Sequence, residues 1–107
     1  MASSLEFVQY VVGQLGDVGS ITYKKLFGEY GLWYGGKFFG TVEDNVFYVK
    51  MTEAGHKLLP EAVPEAPHGG NPGMYRVEEL EDRVFLKMLV EQTCNELPAP
   101  KPRKKNK

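Results

Sequence analysis

At 107 residues, 42% hydrophobic and 25% charged, the chain has the size of one small domain, and two independent cores do not fit. A chain of this length buries about two-thirds of its unfolded surface, enough to fold without a disulfide or structural metal. A single cysteine and two histidines exclude an intramolecular disulfide and any zinc-spaced ligand set, so no metal and no cofactor is expected.

The net charge of −1 hides a segregation. Residues 1–97 carry eight basic and fourteen acidic side chains, whereas residues 98–107 carry five basic and none acidic. Phosphate contact is therefore expected from the tail and not from the anionic body. No apolar run approaches the ~18 residues of a membrane span. The polar start Met1-Ala2-Ser3-Ser4 lacks the charged-then-apolar pattern of a leader, so the expected location is cytoplasmic, with no membrane partner.

Ser3 and Glu6 have capping-box spacing, and Leu5, Val8, Val12 and Leu15 follow at helical intervals. This predicts an amphipathic helix over 4–15, ended by Gly16, Asp17 and Gly19. A loop is expected to about Thr22. From Tyr23 to Met51 the period becomes two, with β-branched and aromatic residues dominating, which predicts antiparallel strands near 27–34, 37–42 and 46–51. Gly35-Gly36 and Asp44-Asn45 tolerate the positive φ of the two hairpin turns. Residues 53–59 predict a short helix stopped by Pro60, and the Pro- and Gly-rich stretch 60–72 a mobile surface loop. Met74-Tyr75-Arg76-Val77 reads as one more strand. A helix over 78–96 follows, with Leu80, Val84 and Met88, joined by Phe85 and Leu89, on its apolar side. Pro98 and Pro100 end it, and residues 98–107 lack the apolar content to order themselves. The expected fold is α+β in two layers, with helices packed on one face of a mostly antiparallel sheet and the other face free.

Eight of the thirteen aromatic residues lie between Phe27 and Tyr48. Core filling explains many of them, with interleaved glycines permitting curvature and close packing. Strand alternation puts Tyr30, Leu32 and Tyr34 on one side and Phe27, Glu29, Gly31 and Trp33 on the other, unless a bulge shifts the pattern. Tyr30, Tyr34 and Tyr48 are the candidate partner-binding residues, because tyrosine offers an apolar body with a hydrogen-bonding tip. Lys24 and Lys25 read as solvated edge residues. His56 and His68 lack a nearby nucleophile to activate, and Cys94 reads as a small apolar residue. The cluster Glu78, Glu79, Glu81 and Asp82 suits the positive end of the last helix. The glycine spacing matches neither dinucleotide nor P-loop motifs, and no catalytic residues are assigned.

The segments Leu26-Phe27-Gly28-Glu29-Tyr30-Gly31-Leu32, Gly36-Lys37-Phe38-Phe39, Asp44-x-x-Phe47-Tyr48-Val49-Lys50 and Tyr75-Arg76-Val77 together resemble the TfoX (Sxy) N-terminal domain family, from about Phe7 to Leu97. Glu29 departs from the glycine usual there, and Leu26 from the usual methionine. The resemblance implies a compact α/β domain of regulators of natural competence, whose two-domain members act as coactivators beside a cyclic-AMP-responsive transcription factor, and it implies no enzyme activity. It also implies that this chain ends where the family's second, helical domain would begin.

The expected function is a non-enzymatic protein-interaction module of bacterial transcriptional regulation, through a protein partner or self-association. The alternative is a weak nucleic-acid binder using Lys101, Arg103, Lys104, Lys105 and Lys107, aided by an aromatic sheet face. If all five cations displace counterions, the log-log salt slope of DNA affinity is about −4. Fluorescence anisotropy of full-length chain and of chain cut after Leu97 checks this. Equal affinities, or no salt dependence, remove the tail from consideration.

Overall fold

The structure, a computed structural model, describes residues 3–26 and 28–98. The first helix, α1 (Leu5–Gln14), is opened by Ser4, whose Oγ accepts the Phe7 N–H at 3.1 Å. Ser3, which the capping-box spacing singled out, stands one position too early and is used elsewhere. Val8, Val11 and Leu15 form the buried stripe of this helix, while Leu5 stays exposed. Ser4 supplies an oxygen to a backbone donor that the first helical turn leaves orphaned.

Five strands follow: β1 (Ile21–Leu26), β2 (Glu29–Tyr34), β3 (Lys37–Glu43), β4 (Val46–Lys50) and β5 (Met74–Val77). They pair antiparallel throughout, each with its sequence neighbour, in the order β1-β2-β3-β4-β5. Both expected hairpin turns form, with Gly35 and Gly36 at φ 59° and 81° and Asp44 and Asn45 at φ 54° and 57°. Positive φ at both central positions gives a turn whose twist matches the flanking strands. The expected loop up to Thr22 is instead the start of β1. Ile21 and Tyr23 alternate there with exposed Thr22 and Lys24, and Gly28 at φ 82° turns the chain into β2. The consecutive polar pair Lys24-Lys25 interrupts the alternation that would have marked this strand.

Between β2 and β3 the register shifts. Leu32 pairs with Gly40 and Trp33 with Phe38, leaving Phe39 as the extra residue of a bulge. Phe39 therefore enters the core, where it is fully buried, and Phe38 takes the opposite face. A Cβ on Gly40 would collide with the Tyr48 carbonyl oxygen of the adjoining strand, so the backbone approach beside the bulge requires glycine.

Two further helices complete the layer. Thr52 caps α2 (Glu53–Leu58) through Gly55 N–H, and Asp82 caps α3 (Arg83–Glu96) through Phe85 N–H. At the far end of α3, both carboxylate oxygens of Glu96 accept from the first turn of α2, from Glu53 N–H at 2.9 Å and Ala54 N–H at 2.7 Å. The expected helix over 78–96 thus starts later, and only Asp82 of the acidic cluster caps it. Its buried stripe is Leu86, Leu89, Val90, Thr93 and Cys94, whereas Val84 is 73% exposed and Met88 is exposed. The i, i+3, i+4, i+7 series starting at Leu86 contains a threonine, which disguised it beside the all-apolar pair Val84 and Met88. These residues, the α1 stripe and Leu32, Phe39, Val42, Phe47, Val49, Tyr75 and Val77 of the sheet form one core on one sheet face, as the two-layer α+β expectation required.

Two glycine substitutions test this account by urea denaturation. Gly40→Ala forces backbone apart and should cost about 3 kcal/mol or more. Gly13→Ala, in α1 with open space around the new methyl, should stabilise by roughly 0.5–1 kcal/mol.

Candidate functional site

On the sheet face opposite the helices, the bulge brings Phe38 against Trp33. Their ring centroids lie 5.1 Å apart at an interplanar angle of 46°. The Trp33 indole lies across Gly31, where a Cβ would come within 2.8 Å of the ring. Only a residue without a side chain gives the indole that seat. Lys24 Nζ stands 5.2 Å from the Trp33 ring centre and Lys50 Nζ 5.1 Å from that of Phe38. Both rings are half-buried, so two ammonium groups flank an aromatic platform that is partly open to solvent.

The rest of this face is covered by the segment expected to be a free loop. Glu65 N–H donates to the Met74 carbonyl at 2.8 Å, and Gly73 and Met74 N–H donate back to the Glu65 carbonyl at 3.0 and 3.1 Å. The Glu65 carboxylate takes both Nε and Nη2 of Arg76 at 3.0 Å. The Arg76 hydrogen bonds hold Glu65 below its usual range against the opposing effect of burial, and Tyr48 assists. His68 Nδ1 reaches Glu43 Oε2 at 2.9 Å. Residues 65–73 therefore form a strap across one end of the sheet, and Tyr48, Thr41 and Met74 are buried on that face. Burial raises the Tyr48 phenol above its usual range, with Arg76 opposing.

The three candidate tyrosines do not share an exposed face. Tyr30, 9% exposed, belongs to the helix-covered core. Tyr34 is half-buried on that same side, its ring against Gly19. Tyr48 pairs with Thr41 on the opposite face and is only 5% exposed. Alternation separated Tyr30 and Tyr34 from Trp33 correctly, but the helices cover the tyrosine side. Trp33 and Phe38 are the half-buried aromatics of the face opposite the helices, and the signal for them was Gly31 two residues before the indole, on the same face.

His56 lies 6.5 Å from the Tyr75 ring in a stacked arrangement. Cys94 is buried, which raises its thiol pKa against the opposing charge of Lys37; Lys37 Nζ donates to the Cys94 carbonyl at 2.9 Å. Among the described residues no group of three or more His, Cys, Asp or Glu is placed to hold a metal ion, and no helix is long and apolar enough to cross a membrane. Lys101, Arg103, Lys104, Lys105 and Lys107 lie outside the described residues.

The family model of the TfoX N-terminal domain matches residues 13–95, which takes in the whole sheet and nearly all of α3. The chain belongs to this family. It is 30% identical over 105 residues to an uncharacterized 12.7 kDa protein in the trpE 5′ region of Spirochaeta aurantia, covering 97% of this chain and 91% of the relative. No solved structure matches significantly.

In this TfoX N-terminal domain, Glu29 ties three segments beside the platform. Its Oε1 accepts Ser3 N–H and its Oε2 accepts Asp44 N–H, both at 2.9 Å. Ser4 N–H donates to Asn45 Oδ1, and Asn45 N–H donates to Ser3 Oγ, each at 2.9 Å. The start of α1 is thereby fastened to the β3–β4 turn. Burial opposes ionisation of Glu29, but the hydrogen bonds from Ser3 and Asp44 outweigh it and leave the carboxyl below its usual 4.5. A carboxyl with a depressed folded-state pKa contributes stability above its unfolded value and loses it as pH falls through the folded value. Glu65 acts in the same direction. Stability should therefore decline with acid from about pH 5 downward, and Glu29→Gln should flatten that decline while lowering stability at pH 7. Urea titrations at a series of pH values measure both effects.

Proposed function

We propose that the chain is a non-enzymatic interaction module of a regulatory assembly, and that its partner is a protein that brings an acidic segment onto the Trp33–Phe38 platform. The observation that carries this reading is the pair of half-buried rings flanked by Lys24 and Lys50. Aromatic surface supplies contact area at low entropic cost, and each ammonium offers a partner carboxylate a charge-assisted hydrogen bond. Membership of a family resembling competence regulators supports a regulatory setting. The two histidines are committed to Tyr75 and Glu43, which gives a nucleophile–base pair no support.

A single-stranded nucleic acid is the second reading, because Trp33 and Phe38 also suit base stacking between two cations. The carboxylates of Glu29 and Glu43 stand on the same face, Glu65 there being paired with Arg76, and they oppose a chain that carries a phosphate at every residue. An acidic protein segment meets the two ammonium groups without that continuous repulsion.

Trp33 is the only tryptophan, so its fluorescence reports occupancy of the platform directly. A partner captured from the source organism is purified and titrated against the wild-type chain and the double variant Lys24→Glu, Lys50→Glu. A change in Trp33 emission with at least about tenfold weaker binding by the variant is expected. Unchanged affinity overturns the reading. Steeply salt-sensitive quenching by single-stranded DNA, retained in chain cut after Leu97, transfers the platform to the nucleic-acid reading instead.

A further inference from the structure

Beside the platform, the strap and the sheet enclose a small cleft of about 120 Å³. At roughly 30 Å³ per water in the liquid, it has room for a small organic head group with a short stem. Leu26 and the side of Phe38 provide apolar wall, while Glu29, Thr41, Glu43 and His68 provide the polar lining.

Two features of this lining bear on what it could hold. Thr41 is 3% exposed, and its Oγ1 is buried with no hydrogen-bond partner. A buried hydroxyl without a partner is uncommon in folded proteins; among the described residues Thr93 Oγ1 in the helix layer is the other case, and Thr41 differs from it in lining a cleft. Glu43 is 8% exposed, and His68 Nδ1 meets one of its two carboxylate oxygens, Oε2, at 2.9 Å. The Glu29 oxygens accept backbone N–H groups, which leaves its negative charge in place. The cleft lining thus carries two carboxylates and no lysine or arginine, and desolvated negative charge favours an incoming cation.

We propose that this cleft is a binding site for a primary organic ammonium: the head group donates to Thr41 Oγ1 and the Glu43 carboxylate, and its short aliphatic stem lies along Leu26 and Phe38. A bare divalent cation fits less well, since the described residues offer no group of three His, Cys, Asp or Glu ligands. An anion meets two carboxylates. A neutral alcohol can satisfy Thr41 but leaves the charge of Glu43 unanswered. The site is separate from the proposed partner contacts at Lys24 and Lys50, although Phe38 borders both.

The test is a titration of the full chain with n-propylammonium chloride, read by amide chemical shifts, with n-propanol and sodium chloride at matched concentrations as comparisons. Saturable shifts centred on residues 29, 41, 43 and 68 are expected for the ammonium alone. Thr41→Val and Glu43→Gln should each weaken binding by about tenfold, whereas Lys87→Gln, on α3 in the helix layer, should leave it unchanged. A second arm uses lysine blocked at both backbone ends. Binding at least about tenfold tighter than n-propylammonium identifies the source as a lysine side chain of another protein, and equal or weaker binding identifies a free amine. Absence of saturable shifts with both ammonium probes, or equal shifts with n-propanol, overturns the proposal. That comparison is made on the wild-type chain and does not depend on how the variants fold.

Discussion

The extra residue at Phe39 is the constraint on which the two faces of the sheet depend. In a strand of uniform period, Phe38 and Gly40 would point to one side and Phe39 to the other. The bulge instead sends Phe39 and Gly40 to the helix side and releases Phe38 to the other. One large ring thereby fills the core, and another stands beside Trp33 to make the platform. Gly40 makes the arrangement possible, because the Tyr48 carbonyl occupies the space a side chain would need. Core packing and surface chemistry are set by the same local irregularity.

Much of the architecture was legible because local chemistry and global fold agree. The paired positive-φ turns were visible in Gly35-Gly36 and Asp44-Asn45, and the apolar strands in their period. The failures have specific physical causes. β1 escaped because Lys24-Lys25 breaks its alternation, and the α3 stripe was misphased because Thr93 takes a core position that composition assigns to Val84 or Met88. Ser4 and Ser3 are chemically equivalent as caps, and only the contact of Ser3 with Asn45 and Glu29 decides between them.

The candidate site was less legible than the fold. An aromatic surface on the sheet could be anticipated, but its members depended on which face the helices cover. The strap was hidden for a different reason. Four prolines and three glycines in residues 60–73 describe a segment with little local preference, and its position comes from Glu65 and His68 meeting Arg76 and Glu43 across the sheet. Such long-range polar pairs leave no periodic trace in a sequence. The cleft under the strap follows from them and inherits the same opacity.

The neighbour-to-neighbour strand order has a kinetic consequence. Each of the first four strands pairs with one that is separated from it by only a short turn, so the sheet can grow hairpin by hairpin with little loop-closure entropy at each step. Isolated hairpins of this kind close in ~1–10 μs. The distant closures belong to α1 and α3: Ser4 meets Asn45 across 41 positions, Gln14 donates to the Leu80 carbonyl across 66, and Lys37 donates to the Cys94 carbonyl across 57. These contacts become worthwhile only when the turn and the approach to α3 are already in place. The topology therefore makes a mostly local β meander the natural nucleus, with the helices as latecomers that seal the core.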